Sequence, residues 1–239
     1  MKTSHTIILG IVTLIIIAVG IASFVVMKPG KEAVPVSIVP EDIQEPNFTG
    51  TRPMITGDSA VAVAARMFVD ETVATFKASA DEQVPEMRAQ FGDDAPPAHY
   101  SIDLKATYLA GDATESIVMA EYLYTGGANG MSLYKVFTAK KGSDTVLGIK
   151  DAVRPEQQDA FVALVKQQLL DWRPGDATEM VVSPEYVDEL TIDSLSDWSI
   201  NDGVMTIYFD KYEVGVGALG SVALPIELAK VAGFLTFNP

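Results

Sequence analysis

The chain contains no cysteine, so no disulfide, thiolate nucleophile or cysteine-ligated metal enters its chemistry, and it has no site for the acyl chain of a lipoprotein. Histidine is almost as scarce: of two in the sequence, only His99 lies beyond the first thirty residues. It follows Pro96-Pro97 in loop-like sequence, where a single imidazole is more simply solvated than poised as a general base. Basic residues are few, with 17 Lys plus Arg against 32 Asp plus Glu. From residue 32 onward the counts are 14 basic and 32 acidic, a net charge of −18 that repels nucleic acid and anionic headgroups. No nucleic-acid partner is expected. Phosphate loops are missing too. The glycines of "YTGGANGM" are followed by another strand-like run, with no Lys until Lys135, whereas phosphate-binding glycines open a helix.

One long apolar run is present. "TIILGIVTLIIIAVGIASFVVM", Thr6 to Met27, carries no charge over 22 residues. A helix needs roughly 20 residues to cross the hydrocarbon core. The run exceeds the roughly 7–15 residues of a signal-peptide core, and bulky Phe24, Val25 and Val26 follow the small residues Gly20 to Ser23. The reading is an uncleaved transmembrane anchor over residues 6–27, preceded by a cytoplasmic stub at 1–5. Lys2 lies before the span and Lys28 and Lys31 after it, so positive charge does not orient the helix. The short stub and acidic bulk favour a single-pass protein of the cell membrane with its N-terminus inside and its domain outside.

Five prolines punctuate residues 28–54, which predicts a semi-rigid stalk reaching up to about 80 Å at about 3 Å per residue. Asn47-Phe48-Thr49 matches a glycosylation triplet, to which no role is assigned. The remainder, 55–239, fits one domain.

Asp58 or Ser59 caps a helix predicted to run to about Lys77, with Val61, Ala65, Phe68, Thr72 and Phe76 on one face. A polar, proline-broken stretch to His99 reads as a long loop. Strand-like runs cover Tyr100–Ala110, Ser116–Thr125 and Met131–Ala139, and Asn129-Gly130 suits a type I′ hairpin turn. Pro155 opens the clearest helix, with Phe161, Leu164, Val165, Leu169 and Trp172 as its apolar stripe. Asn201-Asp202-Gly203 marks a second hairpin. The fold class is α+β: an N-terminal transmembrane helix, then one domain of mostly antiparallel sheet packed with about two main helices.

Candidate chemistry is sparse. Ser221 lacks the second glycine of a nucleophile elbow. Asp197, Asn201 and Asp202 are close in sequence, but the repeating calcium-loop spacing is missing and they read as turn residues. Asp81-Glu82 and Asp93-Asp94 fall in polar sequence and read as hydrated. Glu121 interrupts an apolar run, and a pair drawn from Glu121, Asp210 and Glu213 would meet the need of a glycosidase for two carboxyls, at a separation sequence does not give. Tyr122, Tyr124, Tyr134, Tyr208 and Tyr212 flank the glycine-rich bends, where they either cover the core or offer a binding surface. No cofactor is implied.

Two motifs carry a resemblance across roughly residues 58–232. One is Tyr124-Thr125-Gly126-Gly127-Ala128-Asn129-Gly130. The other is Phe209-Asp210-Lys211-Tyr212-Glu213-Val214, followed by a glycine-containing bend and a strand reaching Pro225. Together they resemble a bacterial extracytoplasmic domain of unknown function. It forms the C-terminal part of the lysozyme-sensing anti-sigma factor RsiV and accompanies the catalytic domain of PdaC-type peptidoglycan deacetylases. That family often has His where this chain has Asn129, and Ala-Pro-Tyr-Ala where this chain has Gly215-Val216-Gly217-Ala218. A five-residue stub cannot hold a sigma factor, and the histidines are too few for a deacetylase metal centre. The resemblance therefore implies a binding or sensor module for an envelope ligand, either a cell-wall glycan or a wall-degrading protein. Tyr124, Gly126, Gly127, Asn129, Tyr212 and Glu213 are its candidate binding residues. The rival expectation is a wall-active hydrolase using the carboxylate pair.

Overall fold

The computed structural model describes residues 34–93, 99–174 and 182–239. The expected anchor and stub lie outside the described residues; among those described, no helix is long and apolar enough to cross a membrane.

The fold is α+β, built on two sheets. The first has five strands in sequential order, β1 (Ser37–Glu45), β2 (Phe48–Thr56), β3 (Tyr100–Ala110), β4 (Thr114–Thr125) and β5 (Met131–Lys140). All neighbours are antiparallel except β2 and β3, which run parallel because the helix α1 (Ala60–Phe91) connects them. The second sheet is an antiparallel meander of β6 (Trp198–Asn201), β7 (Val204–Phe209) and β8 (Val222–Glu227). The short helices α2 (Ile149–Ala152), α4 (Pro184–Asp188) and α5 (Leu228–Val231) lie around it, with the longer α3 (Gln158–Asp171).

Each sheet has its own apolar core. α1 lays Val61, Ala65, Val69, Phe76, Ala80 and Val84 against Ile102, Leu104, Ile117 and Met119. Phe161, Val165 and Leu169 of α3 pack on Trp198, Met205, Ile207, Phe209 and Leu224 of the second sheet. A side chain of this size, fully buried, contributes about 1.5–3 kcal/mol. The stripe predicted for α3 holds for these three residues, while Leu164 and Trp172 are only partly buried.

Three expectations give way to tertiary structure. Residues 37–54 are not an extended stalk. They form β1 and most of β2, and the backbone of Gly50 passes so close to Ile102 that a Cβ there would overlap its carbonyl. The stretch after Lys77 is not a loop, since α1 continues through Pro85 to Phe91. Proline removes a helix donor at a cost of about 3 kcal/mol. Buried Ala80 and Val84 offset that cost, and side chains clamp this half of the helix. Asn47 donates to Asp81 at 2.8 Å, Tyr100 to Gln83 at 2.9 Å, and Arg88 to the Pro46 carbonyl at 3.0 Å. At its start Ser59 caps α1 as expected, accepting from Ala62 N. Finally, Asn129-Gly130 forms no type I′ turn. Of the bend residues only Gly126 has positive φ, at 80°, and the pairing of β4 with β5 ends at Leu123 and Met131. The second hairpin does have that geometry, with φ of 49° at Asp202 and 73° at Gly203.

Candidate functional site

β4 and β5 end in the bend 126–130, and Tyr122 folds back over it. Gly130 is buried beneath the Tyr122 ring, where any Cβ would overlap the ring atoms. This contact explains glycine at 130 better than turn dihedrals do. Tyr122 itself remains 42% exposed.

The same device recurs after β7. Tyr212 has φ 76°, a strained value for a bulky residue, and its ring covers Gly217 so closely that a Cβ there would overlap it. Tyr212 is 47% exposed.

Lys211 joins the two. Its backbone N–H donates to the Ser132 carbonyl at 3.0 Å, and its ammonium donates to the Gly130 carbonyl at 2.7 Å. That ammonium lies 5.2 Å from the centroid of the Tyr212 ring, within cation–π range. Two bends about eighty residues apart thus meet at one edge of the first sheet, and in each a half-exposed tyrosine ring covers a glycine. Exposed Met131 and Val216 lie beside them in the chain.

The sequence-derived candidates distribute unevenly. Tyr212 and Glu213 belong to this surface. Gly126 makes the bend, while Gly127 and Asn129 are exposed on it. Tyr124 is half-buried and sits opposite Ser101 on β3, on the same face of β4 as Tyr122. Tyr122, Lys211, Gly130 and Gly217 are not among those candidates. The recurrence of an aromatic near an isolated glycine in both bends is the sequence signal that points to them.

Behind the tyrosines lies a group of carboxyls. β5 is the outer strand of its sheet, and two aspartates of the C-terminal region cap its free edge. Asp210 Oδ1 accepts from Tyr134 N and Asp197 Oδ1 from Val136 N, both at 2.6 Å. Asp197 also holds the Lys135 ammonium at 3.0 Å, and Glu213 accepts the Asp210 N–H at 2.8 Å. Asp197 is therefore an edge cap; Asn201 instead bonds Asp202 at the hairpin turn. Tyr134 and Tyr208 pack ring on ring at 5.0 Å beside these bonds, and Tyr208 reaches Ser199 at 3.1 Å.

Burial drives the electrostatics. Glu121 is 7% exposed and its carboxyl is pushed up to about 7, first by desolvation and then by the charges of Asp210 and Asp197, with Lys135 opposing. Glu213 also rises to about 7 through desolvation, against the hydrogen bond from Asp210, with Asp210 and Asp197 adding to the rise. Asp210 is raised in the same way. Among the described residues no three such groups are placed to hold a metal ion. His99 stands apart, lining a shallow cavity of about 100 Å³ with Arg88, Asn47 and Tyr100.

No family model matches the chain. Its fold is that of the DUF3298 proteins. A member of that family from Bacteroides fragilis superposes with a TM-score of 0.58 at 15% identity, covering 86% of this chain and 94% of the other. A second, from Pseudomonas aeruginosa, gives 0.56 at 18% identity, covering 87% and 96%. In sequence the chain is 26% identical over 128 residues to the peptidoglycan-N-acetylmuramic acid deacetylase PdaC of Bacillus subtilis. That match covers 53% of this chain but only 27% of the deacetylase. The similarity is to a PdaC- and RsiV-like domain of unknown function, related to the cell wall.

Proposed function

We propose that this protein is a non-enzymatic binding or sensor module of the cell envelope, held at the membrane by residues 6–27 with its domain outside. Its ligand is a cell-wall glycan, with a basic wall-degrading protein as the second candidate. The observation that carries the reading is the pair of exposed tyrosines, Tyr122 and Tyr212, each backed by a glycine and linked through Lys211. Flat apolar ring faces with polar groups at their margin suit the C–H faces of pyranose rings, and such aromatics dominate binding where they are preordered. The likeness to a peptidoglycan deacetylase names the envelope polymer to try first. The net charge of −18 over residues 32–239 favours the basic protein as the alternative.

A hydrolase is the competing reading, favoured by the raised carboxyls of Glu121 and Glu213. Against it, Glu121 is 7% exposed, and Asp210 is already engaged as an edge cap.

The deciding experiment mixes the purified full chain, in detergent, with insoluble peptidoglycan, with and without lysozyme. Protein in the pellet and sugar in the supernatant are then measured. Retention that falls in Tyr122→Ala and Tyr212→Ala, without sugar release, is the expected result. Sugar release abolished by Glu121→Gln or Glu213→Gln would replace the module with an enzyme.

A further inference from the structure

The chain contains four asparagines, Asn47, Asn129, Asn201 and Asn238, and the fold treats them differently. An asparagine side chain is open to attack by the backbone nitrogen of the residue that follows it. That nitrogen must carry a hydrogen, be free of other bonds, and be reachable past the following side chain. Asn238 fails at once, because Pro239 after it has no N–H. Asn47 is clamped: it donates to Asp81 at 2.8 Å and accepts from Arg88 at 3.1 Å, and Phe48 after it is bulky and paired in β2. Asn201 is paired with Val204 and donates to the Asp202 carboxyl at 2.6 Å. Asp202, which follows it, is held in a turn at φ 49°.

Asn129 meets all three conditions. It is exposed, and Gly130 after it has no side chain to shield the nitrogen. Both residues lie beyond the last β4–β5 pair, Leu123 with Met131. The Gly130 N–H donates to no backbone group among the described residues. The Lys211 ammonium, 2.7 Å from the Gly130 carbonyl oxygen, adds positive charge beside that nitrogen and favours the anion that attacks.

We propose that Asn129-Gly130 is a self-modifying site that ages the tyrosine edge. The Gly130 nitrogen bonds to the Asn129 side-chain carbonyl carbon and closes a succinimide ring. The side-chain nitrogen leaves as ammonia, taking the proton that Gly130 loses. Water then opens the ring at either carbonyl, which restores the Gly130 N–H and leaves aspartate or isoaspartate at 129. Isoaspartate routes the main chain through the side-chain carbon and so lengthens the backbone directly before Gly130. Gly130 has no slack to absorb this, since the Tyr122 ring lies over it and its carbonyl holds Lys211. The lengthened bend unseats Tyr122 and weakens the bond through which Lys211 joins it to Tyr212. The effect on binding rests on the reading above, because the same surface is altered; the modification itself does not.

Peptide mapping of the full chain, purified in detergent and aged at pH 8, tests the site. Trypsin releases residues 106–135, in which Asn129 is the sole amide side chain, so any acid gained there comes from it. The expected result is loss of that amide with isoaspartate among the products, while Asn47 and Asn201 keep theirs. Ageing at pH 5 should slow the loss, because the attacking nitrogen is then less often ionised. Loss at Asn47 or Asn201 as fast as at Asn129 would overturn the site. So would an intact residue 129 at a time when a free peptide of residues 127–131, aged alongside, has converted. Peptidoglycan sedimentation of fresh and aged protein separates the two proposals. Retention that falls as residue 129 converts, with no such fall on ageing Asn129→Gln, supports both. Conversion without retention of the fresh protein keeps the site and removes the glycan ligand, whereas conversion with retention unchanged removes the site's control of binding.

Discussion

The Lys211 ammonium donates to the Gly130 carbonyl at 2.7 Å while lying 5.2 Å from the Tyr212 ring, so one side chain fixes the second bend against the first. Replacing it with Met keeps the stem and removes the charge. The expected result for Lys211→Met is peptidoglycan retention weakened by about ten-fold or less, with a loss of about 1–2 kcal/mol in chemical denaturation. A loss of binding with unchanged stability would mean that the ammonium contacts the ligand directly.

Glycine at 130 and 217 is required by the rings above it. Gly217→Ala forces the Tyr212 ring off its seat, and since the loop is at the surface the stability cost should stay near about 1 kcal/mol. Gly130→Ala lies between two strands and should cost more, about 1–3 kcal/mol. Urea titration gives both numbers, and tyrosine fluorescence reports the displaced rings.

Stability should fall as pH rises. Glu121 and Glu213 each go from an ordinary value of 4.5 to about 7 on folding, so the folded protein binds more protons than the unfolded one between those limits. Their favourable effect is complete below about 4.5 and is lost on passing through about 7. Thermal melting across pH 5 to 8 should show a falling midpoint, and Glu121→Gln should raise the midpoint at pH 8 while changing it little at pH 5. A midpoint rising with pH in the wild type would contradict the buried, protonated state of these carboxyls.

Asp197 and Asp210 accept backbone N–H groups that face no other strand. Asp210→Ala leaves the Tyr134 amide without its acceptor and frees the Glu213 loop, at a cost of about 1–3 kcal/mol. Asp210→Asn keeps an acceptor and should recover most of it. If both variants unfold alike, charge rather than edge capping is the function of this residue.

Pro85 sits inside α1, where it removes one backbone donor. Pro85→Ala should stabilise the protein by about 1 kcal/mol or more, measured by denaturation, because the buried contacts of Ala80 and Val84 already hold the helix in place.

Much of this fold is legible in the residues. The strand-like run at Tyr100–Ala110 gives a strand because its alternate side chains Tyr100, Ile102 and Leu104 are buried, and the run from Met131 gives its neighbour β5. Pro155 starts the segment that leads into α3, and Asp202-Gly203 adopts the positive φ that a two-residue hairpin demands. These are local decisions, made by backbone sterics and side-chain period. Tyr212 and Glu213 are legible too, through the motif that contains them.

Tertiary structure decided the rest, for identifiable reasons. The prolines of 37–54 predict an isolated extended segment, yet β1 and β2 are extended segments that found a partner, and pairing with β3 is a long-range event that local sequence does not encode. Pro85 predicts a helix end, but the β1–β2 turn supplies the Asn47 side-chain oxygen and the Pro46 carbonyl, which accept from Arg88 and clamp the helix beyond it. Glu121 reads as a strand residue of either face, and only the packing of α1 on the first sheet decides it: the register sets Glu121 between Met119 and Leu123 on the covered face, where it is buried. The sequence by itself determined β3 to β5, the start of α1, α3 and the hairpin at Asp202-Gly203, and the residue types at the two bends. That Lys211 brings those bends together, and that the junction concentrates acid where water is scarce, depends on contacts between residues far apart in the chain, whose free energy exists only once both sheets have formed.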